Sequence, residues 1–122
     1  MKNSYSNIFP YNEKILNKTV KLLNKGNIVS LPTETVYGLA GNAYSKKAIE
    51  KIFKQKGRPR FNPLIIHYYN IHSTLDDIVI NNNFKKLYKK LCPGPITFIL
   101  KKKKKSKIQS LANSLIVLLS IF

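Results

Sequence analysis

The apolar residues of the chain recur with helical spacing in three segments. In residues 11–25 they form one stripe, lysines occupy the opposite face, and Gly26 follows as a typical helix end. Residues 45–56 repeat this pattern and are followed by Gly57. Residues 81–91 form a further amphipathic pattern that carries lysines. The sequence therefore predicts three helices.

Short apolar runs alternate with these helices and predict strands. Residues 27–31 are the first run, and the Thr- and Gly-rich residues 32–42 that follow are predicted to be a loop. Residues 64–69 read as a strand covered on both faces, and residues 96–100 follow a Pro-Gly-Pro turn as another strand. Residues 71–80 are ambiguous and fit a short helix followed by a strand. This alternation predicts an α/β fold.

The charge of the chain is strongly positive. Its 22 Lys and Arg residues against 5 Asp and Glu residues give a net charge of +17. Such a charge predicts attraction to polyanions such as nucleic acid or phosphates. An abundance of Lys, Asn and Ile would also arise from AT-rich coding DNA without selection for charge, so this alternative stays open.

Several classes of protein are excluded by composition. The single cysteine, Cys92, excludes an intramolecular disulfide scaffold and a cysteine-based zinc site, and we read it as buried filler. The sequence offers no apolar run long enough to span a bilayer, and residues 1–10 are too polar for a signal peptide. We therefore expect a cytoplasmic protein with no membrane partner and no resident metal site.

Two segments carry candidate chemistry. Residues 31–39 place Thr side chains and backbone N–H groups at a strand end, where ligands commonly bind in open α/β sheets. In residues 56–64, Lys56 supplies a point charge and Arg58 a bidentate fork for phosphate, and Asn62 adds a donor and an acceptor. For residues 31–39 the structural alternative is a plain connection with a capping Thr. For residues 56–64 it is a set of cations that complement the partial negative charge of a helix C-terminus.

His67 stands near the end of an apolar strand, where a histidine is commonly an ordinary core or edge residue. Clustered lysines at 85–90 and 101–107 are either solvated faces or surfaces that attract an RNA backbone. Residues 115–122 are nearly all apolar and are predicted to be a terminal core strand or an aggregation-prone exposed segment.

Three motifs taken together resemble the YrdC/Sua5 family of L-threonylcarbamoyladenylate synthases. They are PTETVYGLAGNA at 32–43, AIEKIFKQKGRPRFNPLIIH at 48–67 and PGPITFIL at 93–100. The resemblance covers residues 10–100 and implies a twisted open α/β sheet with a positively charged concave surface. It implies formation of threonylcarbamoyl-AMP and pyrophosphate from L-threonine, bicarbonate and ATP, with Mg²⁺ accompanying the ATP. The product would serve the t6A37 modification of tRNA.

The resemblance also implies roles for single residues. By motif position, Thr35 and His67 would contact threonine, and Arg58 and Asn62 would contact ATP. Lys56 and Arg58 form the Lys-x-Arg signature of the family and are the candidate catalytic residues. Further partners it suggests are tRNA or double-stranded RNA and other proteins of the t6A pathway.

The later motifs of the family, a strand like T-V-A-V-R-x-P and an S-x-N signature, have no counterpart in this sequence. We therefore expect one incomplete domain over residues 1–122, with a divergent Lys-rich and apolar tail at 101–122 and about half of the substrate pocket. The alternative functions are a catalytically inactive truncated fragment and a module that binds double-stranded RNA or tRNA.

Overall fold

A computed structural model describes residues 7–33, 35–109 and 116–121. The first helix, α1, spans Glu13–Asn24, within the predicted range 11–25. It begins where the side chain of Asn12 accepts a hydrogen bond of 2.9 Å from the amide of Ile15. It ends before Gly26, whose φ of 72° places it in the left-handed region. Both helix ends are therefore set by local chemistry that the sequence shows.

Strands β1 (Ile28–Pro32) and β2 (Tyr37–Gly41) form an antiparallel hairpin. The prediction of a loop over residues 32–42 was wrong for its second half. β2 contains two glycines and no β-branched residue, so its own sequence carries almost no strand signal. Its strand conformation comes from pairing with β1, with Val29 opposite Ala40.

Helix α2 (Lys46–Lys56) follows the hairpin and packs on it. Its four buried residues are those the apolar pattern predicts, namely Ala48, Ile49, Ile52 and Phe53. A Cβ added at Gly41 of β2 would lie 3.2 Å from both the Ala48 Cβ and the Ile52 Cδ1. This glycine therefore allows the close approach of helix and hairpin.

Strands β3 (Ile65–Tyr68), β4 (Thr97–Lys101) and β5 (Ile116–Ile121) form a second sheet in the order β3-β5-β4. β5 is parallel to β3 and antiparallel to β4. Residues 116–121 of the apolar segment 115–122 therefore form a strand, in agreement with the strand part of the prediction of a terminal core strand. Residues 115 and 122 lie outside the described part of the chain.

The ambiguous segment 71–80 contains a 3-10 helix, His72–Thr74, and no strand. Its later part contributes only one isolated bridge, between Ile78 and Lys102. Helix α3 (Asn82–Leu91) follows, and the side chain of Asn81 caps it through the amide of Phe84 at 2.8 Å. The third helix is confirmed close to its predicted bounds.

The larger core lies between α3 and one face of the second sheet. The rings of Phe84 on α3 and Phe98 on β4 meet edge to face, with centroids 5.0 Å apart. The buried residues of this cluster are Tyr68, Ile78, Phe84, Phe98 and Ile108, and Cys92 packs against it. Cys92 is half-buried rather than fully buried as predicted, and this burial raises the pKa of its thiol.

The opposite face of this sheet is open within the described residues. Ile65 on β3 is 50% exposed and Ile99 on β4 is 68% exposed. Both are paired in register with Leu118 of β5, so the three residues form one row across the sheet. The expectation that the strand at 64–69 is covered on both faces was therefore wrong for this part of the chain.

Candidate functional site

The turn after α2 is built around a left-handed glycine. Gly57 has a φ of 57°, and its amide donates to the carbonyl of Lys54 at 3.3 Å. The amide of Arg58 donates to the carbonyl of Phe53 at 3.0 Å, which ends the helix in a way typical of a glycine C-cap. The glycine thus reverses the chain between the two candidate cations, Lys56 and Arg58.

Arg58 holds the loop that follows this turn. Its Nε donates to the backbone carbonyl of Asn62 at 3.2 Å, and its Nη2 donates to the Asn62 Oδ1 at 2.9 Å. Nη2 also donates to the carbonyl of Pro63 at 2.7 Å. Within the described residues, Nη1 makes no hydrogen bond, so its two N–H groups remain available to a ligand oxygen.

Lys56 lies in the last turn of α2 and is exposed. No carboxylate in the described part of the chain forms an ion pair with it, since the one ion pair found there joins Lys46 to Glu50. The Lys56 ammonium and the half-buried Arg58 guanidinium, on either side of the glycine turn, therefore both lack a carboxylate partner among the described residues. Cations of this kind attract phosphate oxygens.

Thr35 lies in the turn that joins β1 to β2 and is exposed. Its amide lies 3.4 Å from the Oγ1 of Thr33, and the amide of Thr33 donates to the carbonyl of Val36 at 3.2 Å. The Thr35 hydroxyl has no partner among the described residues. Glu34, in the same turn, lies outside them.

His67 lies on the open face of the second sheet. It is exposed on β3, and its neighbour Tyr68 is buried on the opposite face. In register, His67 is opposite Ser120 of β5, which is in turn opposite Thr97 of β4. His67 and the exposed Thr97 therefore lie in the row next to that of Ile65 and Ile99.

The predicted site residues come from three elements. The structure joins Arg58 and Asn62 directly, and it places Lys56 two residues before Arg58 across the glycine turn. Within the described residues it does not bring Thr35 into hydrogen-bond contact with either Arg58 or Asn62. His67 lies on β3.

The sequence analysis missed a buried polar cluster around Asp77, which is only 2% exposed. Its Oδ2 accepts hydrogen bonds from the hydroxyls of Tyr44 and Tyr68, and its Oδ1 accepts one of 2.6 Å from Ser106. Burial and the Asp77 carboxylate raise the pKa of Tyr44 to about 12 and that of Tyr68 well above its usual range. The one available sequence signal was an acid set among apolar residues.

A cavity of about 440 Å³ adjoins this cluster. Its lining combines one tyrosine and two carboxylates with side chains of the lysine-rich segment after β4. These residues are Tyr44, Asp76, Asp77, Lys103, Lys105, Ser106 and Lys107. The described part of the chain contains no group of three or more His, Cys, Asp or Glu side chains that could hold a metal ion. None of its helices is long and apolar enough to cross a membrane.

Comparison with known proteins places these features in a family. The family model described as "Telomere recombination", for Sua5, YciO and YrdC proteins, matches residues 21–117. A threonylcarbamoyl-AMP synthase of Bacillus subtilis is 42% identical over 91 residues, covering 73% of this chain and 26% of the relative. A putative threonylcarbamoyl-AMP synthase of Methanocaldococcus jannaschii is 36% identical over 107 residues, covering 84% and 52%.

Solved structures give the same result. The Pyrococcus abyssi Sua5 structure in complex with L-threonine matches with a TM-score of 0.81 and 31% identity. The match covers 93% of this chain and 34% of that one. Full-length HypF in its phosphate- and nucleotide-bound form, at 20% identity and a TM-score of 0.75, shares the fold.

The fold and site define an α/β protein with an open sheet and a cationic turn at the end of its second helix. The chain belongs to the Sua5/YciO/YrdC family. It spans between about a quarter and a half of the length of the curated relatives described above.

Proposed function

We propose that this protein takes part in the synthesis of threonylcarbamoyl-AMP from L-threonine, bicarbonate and ATP, the product that serves t6A37 modification of tRNA. The observation that carries the proposal is the Arg58–Asn62 turn, which leaves the two Nη1 N–H groups of Arg58 available and follows Lys56, a lysine with no carboxylate partner among the described residues. The names of the curated relatives and the identities of 42% and 36% support the same activity.

The ATP side of the site is assigned to Lys56, Arg58 and Asn62. Lys56 and the Nη1 group of Arg58 bind oxygens of the triphosphate and stabilise the charge that develops during transfer. Asn62 holds the guanidinium through its side-chain oxygen at 2.9 Å. Mg²⁺ would accompany ATP as part of the substrate, bound to its phosphate oxygens.

The threonine side is assigned to Thr35 and His67. The L-threonine complex of the P. abyssi protein, which matches 93% of this chain, supports a threonine site in the family. The Thr35 hydroxyl is free of described partners, and His67 lies on the open face of the sheet. Both side chains are therefore accessible to a polar ligand.

The reaction needs positioning more than proton transfer. Threonine and bicarbonate give a carbamate and water, and an oxygen of the carbamate then bonds to the α-phosphorus of ATP. The bond between the α-phosphorus and the bridging oxygen breaks, and pyrophosphate leaves with its electrons. Holding the carbamate near the α-phosphate supplies much of the rate.

Release of pyrophosphate with all three substrates present, and its loss when any one is omitted, tests this proposal. His67→Ala and Thr35→Val are expected to raise the threonine concentration needed for half-maximal rate while leaving ATP affinity unchanged. An equal effect on both substrates would contradict the threonine assignment. His72→Ala is the matched control for His67, because His72 lies in the 3-10 helix outside the predicted site.

The second candidate is a module that binds double-stranded RNA or tRNA without catalysing the synthesis. The net charge of +17 favours it. Binding of ATP without pyrophosphate release would support this candidate over the synthase. We propose a cytoplasmic location and possible contact with other t6A-pathway proteins under either candidate.

A further inference from the structure

The loop after α2 presents an aromatic residue at the tip of a tight turn. The amide of Asn62 donates to the carbonyl of Pro59 at 3.1 Å, which closes a turn with Arg60 and Phe61 at its centre. Phe61 is 81% exposed, and no ring or cation among the described residues stacks on it. The ring therefore has a free face that a ligand can cover.

The turn is held rigid on both sides of this ring. Pro59 and Pro63 have a fixed φ, and each also restricts the backbone of the residue before it. Arg58 then joins the two ends of the loop, because its Nη2 donates to the Asn62 Oδ1 at 2.9 Å and to the carbonyl of Pro63 at 2.7 Å. An aromatic side chain on such a loop loses little conformational entropy when it binds a flat ligand.

The chemistry beside the ring indicates what this ligand is. Phe61 is adjacent in the chain to Asn62, which contacts the Arg58 guanidinium, and the Nη1 of that guanidinium makes no hydrogen bond within the described residues. In a nucleotide, one ribose separates the flat base from the phosphates. A nucleotide whose phosphates contact Arg58 therefore carries its base within reach of the turn. Stacking on an aromatic side chain requires only a ring face of that base.

We propose that Phe61 stacks on the adenine ring of the ATP whose phosphates bind Lys56 and Arg58, so that the tip of this turn is the base-binding part of the site. The inference deepens the proposed function and rests on its assignment of ATP to this turn. Because every base has an aromatic face, such stacking favours nucleoside triphosphates over inorganic polyphosphates without strictly selecting one base.

Equilibrium binding of MgATP and of magnesium tripolyphosphate, which has the phosphates but no base, tests the proposal. Phe61→Ala should weaken MgATP binding by about tenfold, the loss expected for one stacked base, and should change tripolyphosphate binding by less than about twofold. Tyr11→Ala removes an aromatic side chain that is 83% exposed just before α1, and it should change neither affinity. Unchanged MgATP binding in Phe61→Ala, or an equal loss for both ligands, would overturn the proposal.

A tryptophan at the same position reports stacking directly. The chain contains no tryptophan, so Phe61→Trp introduces a single indole. MgATP should quench its fluorescence with the affinity measured by direct binding, whereas tripolyphosphate should leave the fluorescence unchanged. Tyr11→Trp places the indole in the segment before α1 and should respond to neither ligand. MgATP that binds Phe61→Trp without changing its fluorescence would contradict stacking.

The outcomes separate this inference from the proposed synthesis. If the wild type binds MgATP and releases pyrophosphate while Phe61→Ala binds MgATP equally well, the stacking is refuted and the proposed function stands. If MgATP binding depends on Phe61 but no pyrophosphate is released with L-threonine and bicarbonate, the stacking stands and the synthesis is refuted. Absence of MgATP binding by the folded wild type would overturn both.

Discussion

The Nη2 of Arg58 donates a hydrogen bond of 2.9 Å to the side-chain oxygen of Asn62. The same nitrogen donates to the carbonyl of Pro63 at 2.7 Å, so one edge of the guanidinium is committed to the protein. The other edge carries the two N–H groups that we propose bind ATP. In that proposal Arg58 both holds the turn and binds the nucleotide, and Asn62 orients the Arg58 guanidinium.

The substitution Arg58→Lys should show whether these roles depend on the planar guanidinium or only on its positive charge. Lysine keeps the positive charge but loses the planar fork, so MgATP affinity should fall about tenfold. The loss of the guanidinium hydrogen bonds to Asn62 and Pro63 should cost about 1 kcal/mol of stability. Equilibrium binding of MgATP and urea unfolding measure the two effects. If Asn62→Ala lowers ATP affinity equally in the wild-type and Arg58→Lys backgrounds, Asn62 does not act through Arg58.

The contribution of Lys56 to MgATP binding can be compared with that of a matched control, because Lys54 is an exposed lysine in the same last turn of α2. Lys56→Gln should weaken MgATP binding by about fivefold to tenfold, the loss expected for one charge-assisted contact. Lys54→Gln removes the same charge and should change binding by less than about twofold. Equal losses in both variants would show a general effect of net charge.

Much of the fold could be predicted from residue pattern. Ser45 and Gly57 mark the two ends of α2, and the buried set of that helix follows from its apolar spacing. β2 could not be predicted, because its glycine-rich sequence takes strand conformation only through pairing with β1. The open sheet face was also missed, since an apolar run such as Leu64–Ile66 does not show whether its second face has a partner within the chain.

The candidate site could likewise be predicted only in part from the sequence. The motif spacing gives the residue types and their order, including Lys56 and Arg58. It does not give the orientation of the Arg58 fork, which depends on the left-handed Gly57 and the carbonyl of Pro63. The Asp77 cluster could not be predicted, because Tyr44, Tyr68 and Ser106 come together only in the folded chain.

Gly57→Ala should destabilise the protein by about 1 kcal/mol, the cost of a Cβ in the left-handed region. No atom lies within 4 Å of the added Cβ, so the effect comes from backbone conformation rather than from a clash. Gly38→Ala is the matched control, because its Cβ would make only an ordinary contact of 3.4 Å with Thr33. Urea unfolding should show a smaller change in that control.

The raised pKa of Tyr44 predicts alkaline destabilisation. The pKa is about 12 in the folded protein and about 10 in the unfolded chain, so the folded state favours the neutral hydroxyl. The stability this hydroxyl contributes is full below about pH 10 and is lost as the pH rises towards 12. Tyr44→Phe should make the free energy of unfolding fall less steeply over that range. An unchanged pH profile would contradict the coupling to Asp77.

The central claim is that the turn carrying Lys56 and Arg58 directs ATP into the synthesis of threonylcarbamoyl-AMP. Pyrophosphate release in the presence of L-threonine, bicarbonate and MgATP tests it most directly, with each substrate omitted in turn and with Arg58→Ala as the negative control. The account predicts release that needs all three substrates and is lost in Arg58→Ala. No release from the folded wild-type protein, or equal release by Arg58→Ala, would contradict it.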